Sequence, residues 1–478
     1  MEQKPFIHLF QTSTGFYFYD VNTDSILNID ENVYDYLKKE QLGESSSNTL
    51  EYVEFLRKQG YLKSNKVKIT EHPETEVLKY HCENRVEGII LQVTQNCNLH
   101  CDYCTYSGGY INRIHTNKRM SKETAKRGID YLISHSRDCQ YVSIGFYGGE
   151  PLLEFDLIKW CIEYSKANIE GKNLKYNLTT NATLITEEII ELFEENNVSI
   201  MISLDGPAEI HDKNRKFANN NVGSFSTIMK KLDMISTKYP NYFKNNVHFN
   251  SVLATDNFSC VNKFFTKEEL FQNSLFLSSI VSEVNAKVKT EKSQSFYEES
   301  QYALFIGYLT LLGRIKKEDS SKLLQTQIST IGDTRNGKQG KQRLVMPEKW
   351  HHGGPCVPGV MRLFINVDGY FYPCEKASEA SEASDSMNIG NLDQGYDLKK
   401  VEKLLNIERI NGDKCHSCWA YENCRICAVS LSVDSTQEDI AKECEYIRSS
   451  IESDFQDYCV LKELGFDFET KELIENTI

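Results

Sequence analysis

"TQNCNLHCDYC", residues 94–104, holds three cysteines, Cys97, Cys101 and Cys104, separated by three and then two residues. It follows directly on "GIILQVT" (88–94), an apolar run that reads as a buried strand. The thiols therefore stand on a loop at a strand end. Downstream, strand-like and helical runs alternate. "YVSIGFYGG" (141–149), "KYNLTTN" (175–181), "SIMISLDG" (199–206) and "NVHFNSVLA" (246–254) read as strands. "SKETAKRGIDYLISHS" (121–136), "EFDLIKWCIEYSKANI" (154–169) and "TEEIIELFEENN" (186–197) read as helices. Such alternation predicts an α/β fold, a parallel sheet with crossover helices closing into a partial or full barrel. Chemistry in such barrels gathers at the C-terminal strand ends. Three thiolates there can bind three irons of a [4Fe–4S] cube and leave the fourth iron open to a ligand. Zinc, completed by His100 or a distant residue, is the alternative.

The bulk numbers frame this reading. At 478 residues the chain exceeds one compact core. A formal charge of −14 argues against a nucleic-acid or anionic-membrane surface. "MEQKPFIHLF" lacks the basic segment and apolar core of a signal peptide, and no apolar run spans a membrane. A cytoplasmic location is expected. In a reducing compartment, fifteen cysteines are poor disulfide candidates, and clustered ones point to metal. Ten fall into two groups. Cys82, Cys139, Cys161, Cys260 and Cys459 are scattered and read as small buried hydrophobes.

Upstream of the barrel, "PFIHLF", "GFYFYD" and "SILNI" predict three short antiparallel strands. Helices follow near "ENVYDYLKKE" and "NTLEYVEFLRKQGYL", with Asp30 and Asn48 as caps and Gly60 as a stop. Residues 1–75 thus predict a winged-helix-like module able to offer a sheet edge to an incoming peptide strand. Residues 86–255 form the barrel and 256–349 a bridging region. The bridge carries a helix around "YALFIGYLTLLGRI" and a polar linker, "GDTRNGKQGKQR". Residues 350–478 carry the second cysteine group and a low-complexity surface loop, "KASEASEASDS" (376–386).

"CNLHCDYC" resembles the CxxxCxxC signature of radical S-adenosylmethionine enzymes. The resemblance implies that the open iron chelates S-adenosylmethionine, which is cleaved to a hydrogen-abstracting 5′-deoxyadenosyl radical. It implies that Tyr103 lies against the adenine. "FYGGEP" resembles the family's GGE motif: Gly148 and Gly149 would let backbone approach the methionine amino group, which Glu150 would help accept. "TTNATL" puts Asn181 near the ribose. "SLDGP" and "HDKNR" offer Ser203 and Asp205 for hydroxyls and Arg215 as a fork for the methionine carboxylate.

Cys356 and Cys374 lie eighteen apart, and "CHSCWAYENCRIC" adds Cys415, Cys418, Cys424 and Cys427 before Cys444. Seven cysteines at these spacings resemble the SPASM domain, the C-terminal extension of radical enzymes that modify peptides and proteins. The resemblance implies two auxiliary clusters, three [4Fe–4S] clusters in all. Cys415, Cys418, Cys424 and Cys444 would hold one completely. Cys356, Cys374 and Cys427 would hold the other, open or completed by a group such as His351 or His352. Zinc on the paired CxxC cysteines is the alternative.

Taken together, the motifs resemble thioether-forming maturases of Cys-rich ribosomal peptides, of ranthipeptide and sactipeptide type. The resemblance implies a Cys-rich precursor bound through its leader, and an electron donor such as flavodoxin or ferredoxin. It implies a cysteine sulfur joined to a carbon of an acceptor residue, with a lean toward the side-chain carbon of an acidic one. Carbon–carbon crosslinking, epimerisation and formylglycine formation are alternative chemistries. A non-enzymatic iron–sulfur redox protein is the alternative class.

Overall fold

The computed structural model describes all residues except 1–3, 45–49, 107–108, 111–114, 282–285, 289–290, 332–344, 354–355, 378, 380–386, 412–413, 432–436 and 474–478. The linker at 332–343, most of the loop at 376–386 and the cap assigned to Asn48 lie outside the described residues.

Strands β1 (Ile7–Gln11), β2 (Phe16–Asp20) and β3 (Ser25–Ile29) form an antiparallel sheet in that order. Helices Glu31–Leu42 and Glu51–Lys58 follow. The alternation of the strands splits their side chains between two cores. Ile7, Phe18 and Ile29 pack under the two helices with Val33, Leu37, Val53 and Leu56. Phe10, Tyr17 and Tyr19 face the other way, onto Phe455 and Tyr458 of the long helix Gln437–Glu463 and onto Tyr421. His8 stacks on Trp419 with ring centroids 3.6 Å apart. The N-terminal sheet is thus seated on the C-terminal cysteine region.

After β4 (Ile69–Thr70) comes the central sheet. Its strands are β5 (Gly88–Thr94), β7 (Tyr141–Gly148), β8 (Asn173–Thr180), β9 (Val198–Ser203), β11 (Val247–Leu253) and β12 (Phe276–Ile280), all parallel. The sheet is the six-strand partial barrel expected of the fold; five of its strands were read from the sequence, and the sixth, β12, lies in the stretch 256–349 expected to be a bridge. β5 is buried at every position, which is why its sequence is apolar on both faces. Two short strands, β6 (Leu99–Cys101) and β10 (Arg215–Phe217), pair with each other outside the barrel sheet. β13 (Lys349–Trp350) pairs with β4.

The sheet does not stop at β5. β14 (Leu363–Ile365) adds to its free edge in parallel, Leu363 opposite Ile89 and Ile365 opposite Leu91. β15 (Tyr370–Tyr372), β16 (Gly390–Asn391) and β17 (Gly395–Tyr396) continue it antiparallel. The C-terminal cysteine region therefore begins on the barrel's own sheet.

Candidate active site and cysteine pockets

β5 delivers its C-terminal end to the three cysteines. Thr94 Oγ1 accepts from the Asn96 N–H (3.2 Å), and Asn96 Oδ1 accepts from the Cys97 N–H (2.9 Å). The stretch expected as loop contains β6, which places Cys101 opposite Arg215 in β10. Nothing local announces this strand, because its partner lies more than a hundred residues away in sequence. Cys97, Cys101 and Cys104 lie within electrostatic reach of one another. Burial pushes the Cys97 thiol up to about 12 and the Cys101 thiol to about 11. These two thiols are therefore protonated when empty, and metal must displace their protons. Among the described residues, no three His, Cys, Asp or Glu side chains converge tightly enough for a single metal ion. The ligands of one zinc crowd around one centre, whereas a cube spreads its thiolates over separate irons. The three thiols fit the cube.

The GGE motif has its steric reason inside the chain. Gly148 has φ +141°, and a Cβ on it would come 2.0 Å from the Thr94 carbonyl oxygen. A Cβ on Gly149 would come 2.1 Å from that of Asn96. The glycines let the end of β7 pass against the root of the cysteine loop. Glu150 is buried, and burial raises its pKa. Its Oε1 accepts from Leu152 N–H (3.0 Å) and Thr180 Oγ1 (2.7 Å), and its Oε2 from Asn181 N–H (2.7 Å). Glu150 thus ties β7 to the end of β8. Oε2, with one donor, retains a lone pair for another.

Asn181 reaches the cysteine loop directly. Its Nδ2 donates to Asn98 Oδ1 (2.8 Å) and lies 3.9 Å from Cys97 Sγ. Asn98 in turn donates to Thr183 Oγ1 (2.8 Å). Ser203 ends β9, nearly buried. Arg215 Nε donates to Asp205 Oδ2 (2.9 Å), and the Tyr103 hydroxyl bonds the same carboxylate. The guanidinium carbon lies 5.4 Å from the centre of the Tyr103 ring. The residues expected to contact adenine, hydroxyls and carboxylate are thus bonded to one another. Burial drives the Tyr103 hydroxyl well above its usual range.

Sequence reasoning passed over His211. It is fully buried, its Nδ1 accepts from the Asp205 N–H (3.2 Å), and its Nε2 bonds Ser224 Oγ (2.9 Å). Ser224 Oγ donates to the Arg215 carbonyl (3.1 Å). One imidazole thus braces both members of the Asp205–Arg215 pair. Burial and the nearby Arg215 push its pKa down to about 4. The residue lay inside the quoted "HDKNR", and its burial was the missing signal. Asn98 and Thr180 likewise sat inside quoted motifs without a role.

The C-terminal thiols sort into two sets. Cys415, Cys418, Cys424 and Cys444 line one cavity of about 210 Å³, with His352 and Arg448 in its walls. Cys356 and Cys374 each lie within electrostatic reach of Cys427. The resemblance implies a division into four and three with these members. His352, one of two candidates to complete the three-cysteine set, stands on the wall of the four-cysteine cavity. His351 packs between His72 and His352, each ring centre 4.2 Å away. All fifteen cysteines remain thiols among the described residues. No described helix is long and apolar enough to cross a membrane.

Residues 91–261 match the sequence model of the Radical SAM superfamily. The radical SAM cyclopropyl synthase TigE of Paramaledivibacter caminithermalis is 26% identical over 259 residues, 49% of this chain and 53% of that protein. The cysteine-type anaerobic sulfatase-maturating enzyme of Clostridium novyi is 36% identical over 150 residues, 31% of this chain and 40% of that protein. The chain thus spans about half the length of such curated relatives. The solved structure of native anSMEcpe with bound AdoMet superposes with a TM-score of 0.58 at 21% identity, covering 79% of this chain and 98% of that one. That likeness carries the fold. The chain therefore carries a radical SAM domain, and its relatives include sulfatase-maturating enzymes and a cyclopropyl synthase.

Proposed function

We propose that the chain is a radical S-adenosylmethionine maturase that forms cysteine sulfur-to-carbon thioether crosslinks in a Cys-rich precursor peptide. The observation that carries this reading is the sorting of ten thiols into sets of three, four and three, the first at the strand ends of a parallel barrel. On this reading residues 1–75 receive the leader, 86–255 generate the radical, 256–349 bridge, and 350–478 hold two auxiliary clusters. When bound, S-adenosylmethionine on the Cys97–Cys101–Cys104 cluster supplies a hydrogen-abstracting radical. Tyr103, Asn181, Ser203, Asp205 and Arg215 orient that cofactor, and Glu150 offers Oε2 to its amino group. The peptide gives up one hydrogen atom from carbon to the radical, one proton from its thiol to solvent and one electron, which an auxiliary cluster would take up, and gains one sulfur–carbon bond. An acidic side chain is the preferred acceptor. Flavodoxin or ferredoxin supplies the electron that starts the cycle.

The test is mass spectrometry of a Cys-rich precursor after anaerobic incubation with reconstituted protein, S-adenosylmethionine and reductant. The expected result is a loss of two hydrogens per crosslink, with the cysteines involved blocked to alkylation. Cofactor cleavage with an unmodified peptide overturns the thioether reading. A second reading, oxidation of a sulfatase cysteine to formylglycine, is favoured by the sulfatase-maturating relatives. It has no use for a leader module. Removal of residues 1–75 separates the two: lost peptide modification with retained cofactor cleavage supports the maturase, and unchanged modification supports the second reading.

A further inference from the structure

The four-cysteine pocket contains one buried polar side chain that the protein leaves unsatisfied. His352 is 4% exposed, and neither Nδ1 nor Nε2 has a hydrogen-bond partner among the described residues. Native proteins seldom tolerate this without a reason. The backbone around it is drawn hard against the cysteine turn. The Gly353 N–H donates to the Tyr421 carbonyl (2.9 Å), and a Cβ at Gly353 would meet the Glu422 carbonyl oxygen at 2.1 Å. This approach carries the His352 ring into the cavity wall beside Cys424. The Cys424 backbone faces the ring and favours its protonated form, but the contact falls short of full hydrogen-bond geometry and leaves both ring nitrogens unsatisfied. His351 stacks against the ring at 29° and offers it no acceptor.

We infer that His352 donates a ring N–H to a sulfur of the iron–sulfur cluster held by Cys415, Cys418, Cys424 and Cys444, and so positions and tunes that cluster. The inference rests on the reading that this pocket holds a cluster. Four thiolates complete a four-iron cube, so the imidazole is not needed as a ligand, and its N–H is what remains to be satisfied. Hydrogen bonds to cluster sulfurs stabilise the more negative, reduced state and raise the potential. Arg448, which interacts with Cys418 in the same wall, acts in the same direction.

The test uses full-length reconstituted protein in which Cys97, Cys101 and Cys104 are all replaced by Ala, so that only auxiliary iron remains. His352→Phe and His352→Gln are added to this parent, and iron content and redox titrations followed by EPR are compared. The expected result is unchanged iron in both. In His352→Phe the midpoint of one auxiliary cluster moves negative by a tenfold change in its oxidised-to-reduced ratio, about 59 mV for one electron. His352→Gln, which keeps an N–H donor, recovers most of the shift. Identical midpoints in all three proteins overturn the inference. So does loss of a cluster's iron in the Phe variant, which would make His352 a ligand. So does a shift that Gln fails to reduce, which would assign it to packing. A parent without auxiliary iron refutes the cluster reading itself, and the iron assay alone tells that failure apart.

Discussion

The barrel-mouth cysteines and the four-cysteine pocket are built in opposite ways. Cys97, Cys101 and Cys104 stand between a fully buried strand and the β6–β10 pair. Polar groups from three other strand ends converge around them: Glu150, Asn181 and the Asp205–Arg215 pair. Cys415, Cys418 and Cys424 sit on or beside short 3₁₀ turns, joined by Cys444 from the long helix. Their surroundings are mostly apolar, with His352, Lys414, Gln437 and Arg448 among the polar side chains of the wall. On the proposed reading, the contrast puts one metal chemistry to two uses. Where a small molecule would bind, the chain supplies three thiols and a ring of hydrogen-bonding groups. Where a cluster would only be kept, it supplies four thiols and a largely apolar wall.

The largest expected effect breaks the comparison at its centre. Replacing Cys97, Cys101 and Cys104 by Ala abolishes 5′-deoxyadenosine formation, measured by chromatography under reductant, while auxiliary iron stays. Cleavage persisting in that variant would remove the distinction between the two sites. Replacing Cys418 by Ala gives the converse: cofactor cleavage continues and peptide product is lost. Next comes Gly149→Ala. Its Cβ collides with the Asn96 carbonyl, a backbone atom with little freedom to move. The expected cost is about 1–3 kcal/mol, with a lowered melting temperature and weakened S-adenosylmethionine binding. Unchanged melting would show that the root of the loop is softer than the glycines suggest.

The smallest effect is one of pH. The folded pKa of His211, about 4, lies below the unfolded value near 6.5. The unfolded chain therefore takes up the proton first as pH falls. The stabilisation is complete above about 6.5 and is lost progressively toward pH 4, by up to about 3 kcal/mol. In His211→Gln this part of the pH dependence disappears, and parallel thermal melts at pH 5 and 7.5 measure the difference. Equal slopes in both proteins would show that His211 does not brace the Asp205–Arg215 pair as a neutral group.

Sequence periodicity revealed what is local. β5, β7, β8, β9 and β11 were visible because buried parallel strands need unbroken apolar or β-branched runs. The helices between them were visible because one face repeats every three to four residues. The clusters were visible because thiols have few other reasons to gather. Pairings across long chain separations were not visible. β6 and β14 are three residues each, and their identity lies in the partner. The role of His352 was misplaced for the same reason. It is near Cys356 in sequence but is brought to Cys424 by the Gly353–Tyr421 hydrogen bond. Glu150 and the glycines were read as ligand contacts, and the structure adds neighbours inside the chain that the motif did not announce.

The pairing of β14 with β5 also sets a timetable for biosynthesis. Leu363 lies 274 residues after its partner Ile89. At synthesis rates of about 5–20 residues per second, roughly 14–55 s pass between the two leaving the ribosome. Throughout that interval one edge of the most apolar strand in the barrel is unpaired, and an unpaired apolar edge invites aggregation. The strand leads directly to Cys97. The cysteine loop therefore emerges on a strand whose edge is still open, and it reaches its final setting only after the C-terminal region has been made.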